Sequence, residues 1–279
     1  MQVATTVAEM RQRRAAMKGS VGLVPTMGYL HEGHLSLVRH ARVDSEHLVA
    51  SIFVNPTQFG PQEDYQRYPR DPERDLRLLE AEGTDVVFMP PAEEMYPAGF
   101  DAWVEVGESL TSRLEGAARP DHFRGVTTVV AKLFEIVRPQ RAYFGQKDAQ
   151  QLAVIRKMVA DLNMDVEVVG LPTMREADGL ALSSRNVYLS PEERRAAIVL
   201  WRSLCRAEEL FDGGQRRAEA IREAMRAVLA QEPLAAVEYV SVADAATLQE
   251  LEAIAGPALV SLAVRLGRTR LIDNVTLAG

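Results

Sequence analysis

The chain has 279 residues and a formal net charge of −7 at pH 7, with 47% hydrophobic and 25% charged residues. These proportions are typical of a globular protein and exclude a largely disordered chain, while the length favours a large domain with a smaller second one. The negative charge disfavours a general nucleic-acid-binding protein, because affinity for the phosphate backbone comes from clustered Lys and Arg side chains.

The first predicted elements are a strand, a helix and a second strand. Residues 21–25 form an apolar run that leads to Gly28, where a glycine permits a tight turn. From Gly33 onward the apolar residues follow helical spacing, and residues 48–54 form a continuous apolar strand. Such a strand is typical of a parallel sheet that is covered on both faces. The three elements together predict a βαβ unit.

The same alternation continues along the chain. The sequence predicts further helices at 72–82, 127–137 and 149–162, and further strands at 85–89, 141–144 and 166–169. Gly83 ends the first of these helices, and Pro139 ends the second. We therefore expect an α/β fold with a Rossmann-like doubly wound parallel sheet, whose ligands lie at the carboxyl ends of the strands.

The pattern changes after about residue 175. Residues 191–231 are rich in Ala, Arg and Glu and predict helices interrupted at Gly213 and Gly214, and two β-rich segments follow at 237–242 and 258–264. The charged helices alone would also suit a solvated coiled-coil arm, but the two strands need helices to cover them. We expect a smaller α+β domain at residues 176–279, after a Rossmann-like domain at residues 1–175.

Two histidines lie at the start of the first core helix. His31 and His34 follow the turn after the first strand, and helix N-termini present unpaired N–H groups that favour anions. Their spacing places both on one side of the first turn, where each can donate to phosphate. An isolated pair of this kind is more often found as capping or surface histidines, and a zinc site is a third interpretation without obvious further ligands. The position favours a phosphate site.

Polar side chains also follow the later strands. Gln58 can hydrogen-bond a small polar substrate and Phe59 can contact its apolar part, although a capped turn explains this segment equally well. After the strand at 141–144, Lys147 can neutralise phosphates and Asp148 can accept from ribose hydroxyls. A solvated charged loop is the alternative for that segment.

Two more segments carry anion-binding groups. Residues 182–186 combine two serine hydroxyls with the guanidinium of Arg185, which suits the terminal phosphates of a nucleotide near a predicted hinge. Residues 119–125 add cationic and histidine side chains before a helix. A plain turn and an ordinary linker are the respective alternatives, so neither segment decides a function by itself.

Taken together, the motifs resemble the pantoate–β-alanine ligase (pantothenate synthetase) family. The matching segments are residues 25–28, 31–34, 54–59, 144–148 and 183–186. They occur in the order and spacing of the family over nearly the whole chain, which makes the set far more specific than any single motif. One departure is Gln146, which stands where many members of the family carry Glu.

The resemblance implies a nucleotidyltransferase-type Rossmann domain, a smaller C-terminal domain that acts as a lid, and a homodimer. It also implies a reaction in which the carboxylate of pantoate attacks the α-phosphate of ATP, and the amine of β-alanine then displaces AMP from pantoyl adenylate. ATP is thus a co-substrate, and Mg²⁺ accompanies it. The protein ligands of the metal stay open, because the acidic run at residues 71–75 contains Arg74.

The resemblance also assigns roles to individual residues. His31, His34 and Lys147 are the implied catalytic residues, and His34 is the better candidate for proton donation. The implied ATP-binding residues are Met27, His31, His34, Gly145, Lys147, Asp148, Met174, Leu182, Ser183, Ser184 and Arg185. The implied residues around pantoate and β-alanine are Gln58, Gln151, Asn55, Phe59, Phe144, Tyr68 and Arg119.

Two other functions remain open at this point. Another nucleotidyltransferase that uses a phosphorylated acceptor would share the histidine motif, but it would need more Arg or Lys in the acceptor pocket. A non-catalytic nucleotide-binding module would have no need of groups such as Lys147 and Arg185, which serve a transition state. For the subunit contact of a dimer, residues 104–106 are predicted to form an exposed strand.

The sequence also predicts the compartment. Residues 1–18 lack the apolar stretch of a signal peptide, and no segment approaches the ~18 consecutive apolar residues of a membrane span. Cys205 has no partner for an internal disulfide, which suits a reducing compartment, and its helical setting favours a core thiol over a nucleophile. We expect a cytoplasmic enzyme without membrane or nucleic-acid partners.

Overall fold

In the computed structural model, which describes residues 1–61 and 63–278, six mostly apolar segments pair as a parallel sheet. The strands are β1 (Gln2–Ala4), β2 (Val21–Thr26), β3 (His47–Ile52), β4 (Val86–Phe88), β5 (Arg141–Gly145) and β6 (Glu167–Leu171). Their order across the sheet is β1-β4-β3-β2-β5-β6. The predicted Rossmann-like parallel sheet is confirmed.

Helices connect these strands. They are α1 (Val7–Ala16), α2 (Glu32–Asp44), α3 (Pro72–Ala81), α4 (Ala92–Met95), α5 (Glu108–Thr111), α6 (Leu114–Ala118), α7 (His122–Val137) and α8 (Ala149–Asp161). Alternate strand residues enter different cores: Leu23 packs with the apolar face of α7, whereas Val24 packs with Val38 and Leu79 from α2 and α3. The sheet is therefore covered on both faces, which explains the continuous apolar strands.

The strand order places a ligand crevice at two particular strands. The chain runs from β2 to its neighbour β3, and it later enters β5 on the other side of β2. In open α/β sheets, ligands bind outside the carboxyl ends of the strands where the order reverses in this way. Those ends are Thr26 of β2 and Gly145 of β5, so the histidine turn begins at the expected position.

A second compact unit comprises Lys147–Gln150 and the chain from Thr173 onward, while Met1–Gln146 and Gln151–Pro172 make up the first. Its elements are α9 (Pro191–Ala196), α10 (Ile198–Asp212), α11 (Ala218–Leu229), β7 (Ala235–Asp244), β8 (Ala258–Leu266) and β9 (Thr269–Leu277). The strands form an antiparallel sheet whose apolar side chains pack with those of the helices. The prediction of a smaller α+β fold is confirmed.

Some local predictions are wrong. Residues 104–106 form no strand; the backbone N–H of Val104 donates to the Thr128 hydroxyl, and its carbonyl accepts from the Thr127 hydroxyl. Side chains of α7 thus satisfy the backbone groups that a neighbouring strand would otherwise pair. Helix α7 begins at His122 and not at residue 127, and neither the short strand β1 nor the nine-residue strand β9 was predicted.

The structure also bears on the predictions about membrane spans and about the thiol of Cys205. Among the residues that the structure describes, no helix combines the length and the apolar character that crossing a bilayer requires. Cys205 lies half-buried on α10, where burial raises the pKa of its thiol. A raised pKa disfavours the reactive thiolate, which agrees with a structural thiol.

Candidate active site

The turn between β2 and α2 is held by side chains of α3. Gly28 and Tyr29 adopt φ angles of 79° and 50°. The buried carboxylate of Asp75 accepts the backbone N–H groups of Tyr29 and Leu30, both at 2.7 Å, and Arg74 donates to the carbonyl of Leu30 at 2.8 Å. The turn therefore has a fixed conformation before the first residue of the histidine motif.

His31 and His34 cap the N-terminus of α2. The N–H of Gly33 donates to His31 Nδ1 at 3.1 Å, and the N–H of His31 donates to His34 Nδ1 at 3.4 Å. The ring centroids are 4.1 Å apart, so the two imidazoles lie side by side as their spacing predicts. A nitrogen that accepts a hydrogen bond carries no proton, so the neutral form of each ring carries its proton on Nε2. Both histidines are thereby set as Nε2–H donors.

The polar segment after β3 forms a short 3-10 helix, Pro56–Gln58, capped by Asn55. Asn55 is buried, and its Oδ1 accepts from the N–H and the hydroxyl of Thr57 and from the hydroxyl of Tyr96. Its Nδ2 donates to the carbonyl of Gly125 and to Gln58 Oε1, each at 3.1 Å. Asn55 thus uses both ends of its amide to hold the loop together.

Met27 and Gln58 lie in contact, although they are far apart in the sequence. Gln58 Nε2 donates to Met27 Sδ at 3.1 Å, and the Gln58 side chain is almost completely buried. Met27 also lines a cavity of about 260 Å³ at the carboxyl ends of β2, β3 and β4. Other residues around that cavity are Tyr29, Phe53, Tyr65, Asp75 and Met89.

Arg119 and His122 both contact the main chain of Gln58. His122 Nδ1 donates to the Gln58 carbonyl at 2.8 Å, and Arg119 Nη2 donates to it at 3.2 Å. Arg119 also pairs with both carboxylate oxygens of Glu63, at 2.7 and 2.6 Å. Burial and the adjacent charge of Arg119 lower the pKa of His122 to about 4, so this imidazole is neutral at pH 7.

The aromatic residues predicted for the substrate pocket occupy two different environments. Phe59 packs against Tyr68 at a centroid distance of 5.9 Å, and Tyr68 is buried. Phe144 lies in the core beneath the sheet, edge-on to Phe134 at 6.5 Å. Gly145 and Gln151 are half-buried, at the end of β5 and near the start of α8 respectively.

The remaining predicted residues belong to the second unit, where Lys147 is fixed at the backbone. Its carbonyl accepts from Asn274 Nδ2 at 2.8 Å, and its Nζ lies 3.7 Å from Asp148 Oδ1. Asp273 precedes Asn274 on β9, and its buried carboxylate forms a bidentate ion pair with Arg175 at 2.6 and 2.9 Å.

Met174 and Leu182 lie opposite each other in the same unit. The N–H of Leu182 donates to the Met174 carbonyl at 2.9 Å, next to the bridge between Arg175 and Ala181. The serine–arginine motif follows directly: the Ser183 hydroxyl accepts the N–H of Arg185 at 3.3 Å and caps a short 3-10 helix, Ser184–Tyr188. The pairing therefore brings together residues of two sequence segments.

Several residues that shape the site were not predicted from the sequence. Asp75 holds the backbone of the histidine turn and Asp273 pairs with Arg175, whereas His122 was noted only within a candidate anion-binding segment. No local spacing connects Asp75 with Leu30, because the two residues meet only when α3 packs against the turn. In the sequence, Asp75 was considered only as part of the acidic run at residues 71–75, as a source of metal ligands.

The residues that the structure describes do not support a metal site within the protein. Among the described residues, no group of three or more His, Cys, Asp or Glu side chains is arranged to hold a metal ion. Asp71 caps α3 by accepting the N–H of Arg74 at 3.1 Å, and Asp75 accepts two backbone N–H groups. Asp71 and Asp75 are thus occupied by structural contacts, and within the described part of the chain the histidine pair has no third ligand of this kind.

Comparison with known proteins gives consistent matches over the full length. A sequence model of a family described as pantoate-beta-alanine ligase matches residues 2–276. The chain is 63% identical over 277 residues to the pantothenate synthetase of Roseiflexus sp. (strain RS-1), and the match covers 99% of each chain. A crystal structure of pantothenate synthetase from Thermus thermophilus has a TM-score of 0.95 at 52% identity, with 99% of each chain covered.

A third relative was crystallised with ligands. The structure of pantoate-beta-alanine ligase from Francisella tularensis, complexed with beta-gamma ATP and beta-alanine, has a TM-score of 0.81 at 32% sequence identity. The match covers 99% of this chain and 97% of that one. The similarity therefore extends across both units and is not restricted to the sheet.

Proposed function

The chain belongs to the pantoate–β-alanine ligase family, and from this premise we propose how its residues carry out the reaction. It is an enzyme that condenses pantoate with β-alanine in an ATP-dependent reaction, with ATP as co-substrate. The observation that carries the proposed mechanism is the pair of Nε2–H donors, His31 and His34, at the N-terminus of α2 and at the carboxyl end of β2.

In the first step, a carboxylate oxygen of pantoate attacks the α-phosphorus of ATP, and the bond to the bridging oxygen of pyrophosphate breaks. The products are pantoyl adenylate and pyrophosphate. Negative charge accumulates on the phosphorus oxygens and on the leaving group, so preorganised donors stabilise the transition state most. His31 and His34 supply such donors together with the helix N-terminus, and His34 is the residue proposed to donate a proton to the phosphates.

In the second step, the amine of β-alanine attacks the carbonyl carbon of pantoyl adenylate. The new amide bond forms, the bond to the AMP oxygen breaks, and the amine loses a proton. A carboxylate is a poor acyl donor, but its adenylate carries a good leaving group. The two-step route therefore needs no covalent nucleophile on the enzyme, and Cys205, with its raised pKa, has no part in it.

The pocket residues divide into groups that contact substrate and groups that support them. We propose that Gln58 and Gln151 bind the hydroxyls and carboxylate of pantoate, next to Met27, Phe59 and Phe144. Asn55, Tyr68 and Arg119 belong to the wider pocket; their contacts within the protein support Gln58 and Phe59. This distribution suits a small hydroxy acid, whereas a phosphorylated acceptor would need more cationic side chains.

We propose the following roles for the nucleotide-binding residues. Lys147, Ser183, Ser184 and Arg185 would bind the phosphates, Gly145 and Asp148 the ribose, and Met174 and Leu182 would complete the nucleotide site. Mg²⁺ would be held by ATP oxygens and water, because the described residues offer no cluster of acidic ligands. When bound, it would neutralise phosphate charge.

We also propose a domain division, an oligomeric state and a cellular compartment for the protein. Residues 1–175 would form the nucleotide- and pantoate-binding domain and residues 176–279 a lid, with two copies of the chain as a homodimer in the cytoplasm. Light scattering of the purified protein tests the dimer through its mass. A mass of one chain at micromolar concentration would exclude it.

Product analysis tests the function itself. Purified protein is incubated with ATP, Mg²⁺, pantoate and β-alanine, and each component is omitted in turn while AMP and pantothenate are quantified. We expect both products only in the complete mixture, and pyrophosphate without β-alanine if pantoyl adenylate forms first. If pantoate were inert and another acceptor released pyrophosphate, the enzyme would be a different nucleotidyltransferase. If no acceptor released pyrophosphate, it would be a binding module.

A further inference from the structure

Gln58 is fixed by hydrogen bonds at both its side chain and its main chain. Because the Gly125 carbonyl only accepts and the Thr57 N–H only donates, their contacts leave one orientation for the amide of Asn55. Because Asn55 Nδ2 is a donor, the Gln58 atom that faces it is the acceptor Oε1 and not Nε2. The Gln58 amide is thereby oriented so that Nε2 lies toward Met27 and donates to its Sδ.

The main-chain end of Gln58 is held by Arg119 and His122. The guanidinium of Arg119 only donates, so His122 Nε2 accepts from its Nη1 at 3.1 Å. The neutral imidazole then carries its proton on Nδ1, the nitrogen that lies 2.8 Å from the Gln58 carbonyl. Arg119 therefore sets the tautomer of His122, in addition to its own hydrogen bond to the same carbonyl.

We infer that His122 and Arg119 are positioning residues: they hold the main chain of Gln58 and thereby influence the binding of pantoate. The inference rests on the proposed role of Gln58 in binding that substrate. Neither residue contacts the reacting atoms in this role. Arg119, implied by the family resemblance to belong to the substrate site, uses its donors on Glu63, His122 and the Gln58 carbonyl.

Burial and the charge of Arg119 favour a neutral His122 ring, and they outweigh the opposite effect of the carboxylates of Glu63 and Glu115 on its pKa. Arg119 faces it as a cation, Glu63 neutralises Arg119, and Glu115 is the other nearby carboxylate. A proton on Nε2 would abolish the acceptor for Arg119 Nη1 and place two cations in contact. The hydrogen bond to Gln58 consequently depends on the Nδ1–H tautomer of a buried, uncharged imidazole.

Two isosteric substitutions separate positioning from folding. In His122→Asn, the amide nitrogen occupies the place of Nδ1 and can still donate to the Gln58 carbonyl; in His122→Gln, the amide reaches the place of Nε2 and cannot. We expect His122→Gln to raise the KM for pantoate about tenfold, with the KM for ATP within about twofold of wild type. His122→Asn should stay within about threefold for pantoate.

A double-mutant cycle with Gln58→Ala shows whether His122 acts through Gln58. In the Gln58→Ala background, His122→Gln should change the KM for pantoate less than about twofold, because the side chain that it positions is gone. An unchanged pantoate KM in His122→Gln, or a tenfold effect in both backgrounds, would overturn the inference. Equal loss for all substrates in both His122 variants would show a structural role alone.

The same experiment distinguishes a failure of the proposed function from a failure of this inference. If the wild-type protein forms no pantothenate, the proposed function is wrong, and the inference that rests on it is overturned as well. If the wild type is active but Gln58→Ala leaves the pantoate KM unchanged, Gln58 is not a pantoate ligand and the inference fails with it, while the overall reaction stands. Thermal midpoints of all variants show which of them are folded.

Discussion

The buried carboxylate of Asp75 accepts the backbone N–H of Leu30 at 2.7 Å, which ties α3 to the turn before His31. The second carboxylate oxygen accepts from Tyr29 at the same distance. A carboxylate can satisfy two N–H donors, whereas a neutral amide offers one oxygen and one donor group. The turn thus requires the ionised form of Asp75, although burial raises the pKa of this carboxyl.

Replacing Asp75 by Asn should therefore release the histidine turn. One N–H of the turn would face the new NH₂ group, and we expect a loss of about 1–3 kcal/mol in the free energy of unfolding, with a fall in kcat/KM for ATP of about tenfold or more. Urea unfolding and steady-state kinetics measure the two effects. Asp71→Asn is the matched control, because Asn caps a helix as well as Asp does. Equal effects of both substitutions would contradict this explanation.

Gly125 predicts a steric effect on the same pocket. A Cβ atom at this position would lie 2.4 Å from the Thr57 carbonyl oxygen and 2.8 Å from the Gln58 nitrogen, and both are main-chain atoms. Gly125→Ala should displace the loop that carries Gln58, lower the free energy of unfolding by about 1–3 kcal/mol and raise the KM for pantoate. Gly107→Ala serves as control, because a Cβ there has no neighbour within 4 Å. A wild-type KM in Gly125→Ala would show that the loop does not move.

The neutral state of His122 predicts a pH dependence of stability. Its pKa is about 4 in the folded protein, against an ordinary value of 6.5 that applies to the unfolded chain. Between these values the unfolded chain binds a proton that the folded protein excludes, so the free energy of unfolding falls as the pH falls from 6.5 to 4. The pKa difference corresponds to roughly 3 kcal/mol when the pH has fallen below about 4.

His122→Asn isolates this contribution, since Asn does not titrate. Urea unfolding at several pH values between about 7 and 4 should give a shallower decline for the variant than for the wild type, with the difference appearing below about pH 6.5. Other carboxyl groups titrate in both proteins and cancel in the comparison. Parallel curves for the two proteins would mean that His122 is protonated in the folded state at an ordinary pKa.

The sequence predicted those parts of the site that depend on local spacing. The capping positions of His31 and His34 lie within one helical turn, and the strand that precedes them is a continuous apolar run. The contacts of Asp75 and His122 were not predictable in this way, because each joins residues from elements that are remote in sequence. Residues 104–106 illustrate the same limit: a strand was predicted there, but side chains of α7 satisfy the backbone groups of Val104.

His31 combines a capping role with a proposed catalytic role, and a single substitution can separate them. In His31→Asn, the side-chain oxygen replaces Nδ1 as acceptor for the Gly33 N–H, and Asn is among the best N-cap residues, so the free energy of unfolding should change by less than about 1 kcal/mol. The Nε2–H donor is lost, and we expect kcat to fall about 10²–10³-fold, the range found when one preorganised oxyanion donor is removed. His40→Asn, on the exposed side of the same helix, should keep wild-type kcat. If His31→Asn were fully active, the cap would be the only function of His31; if it were inactive and unfolded, the two roles could not be separated at this position.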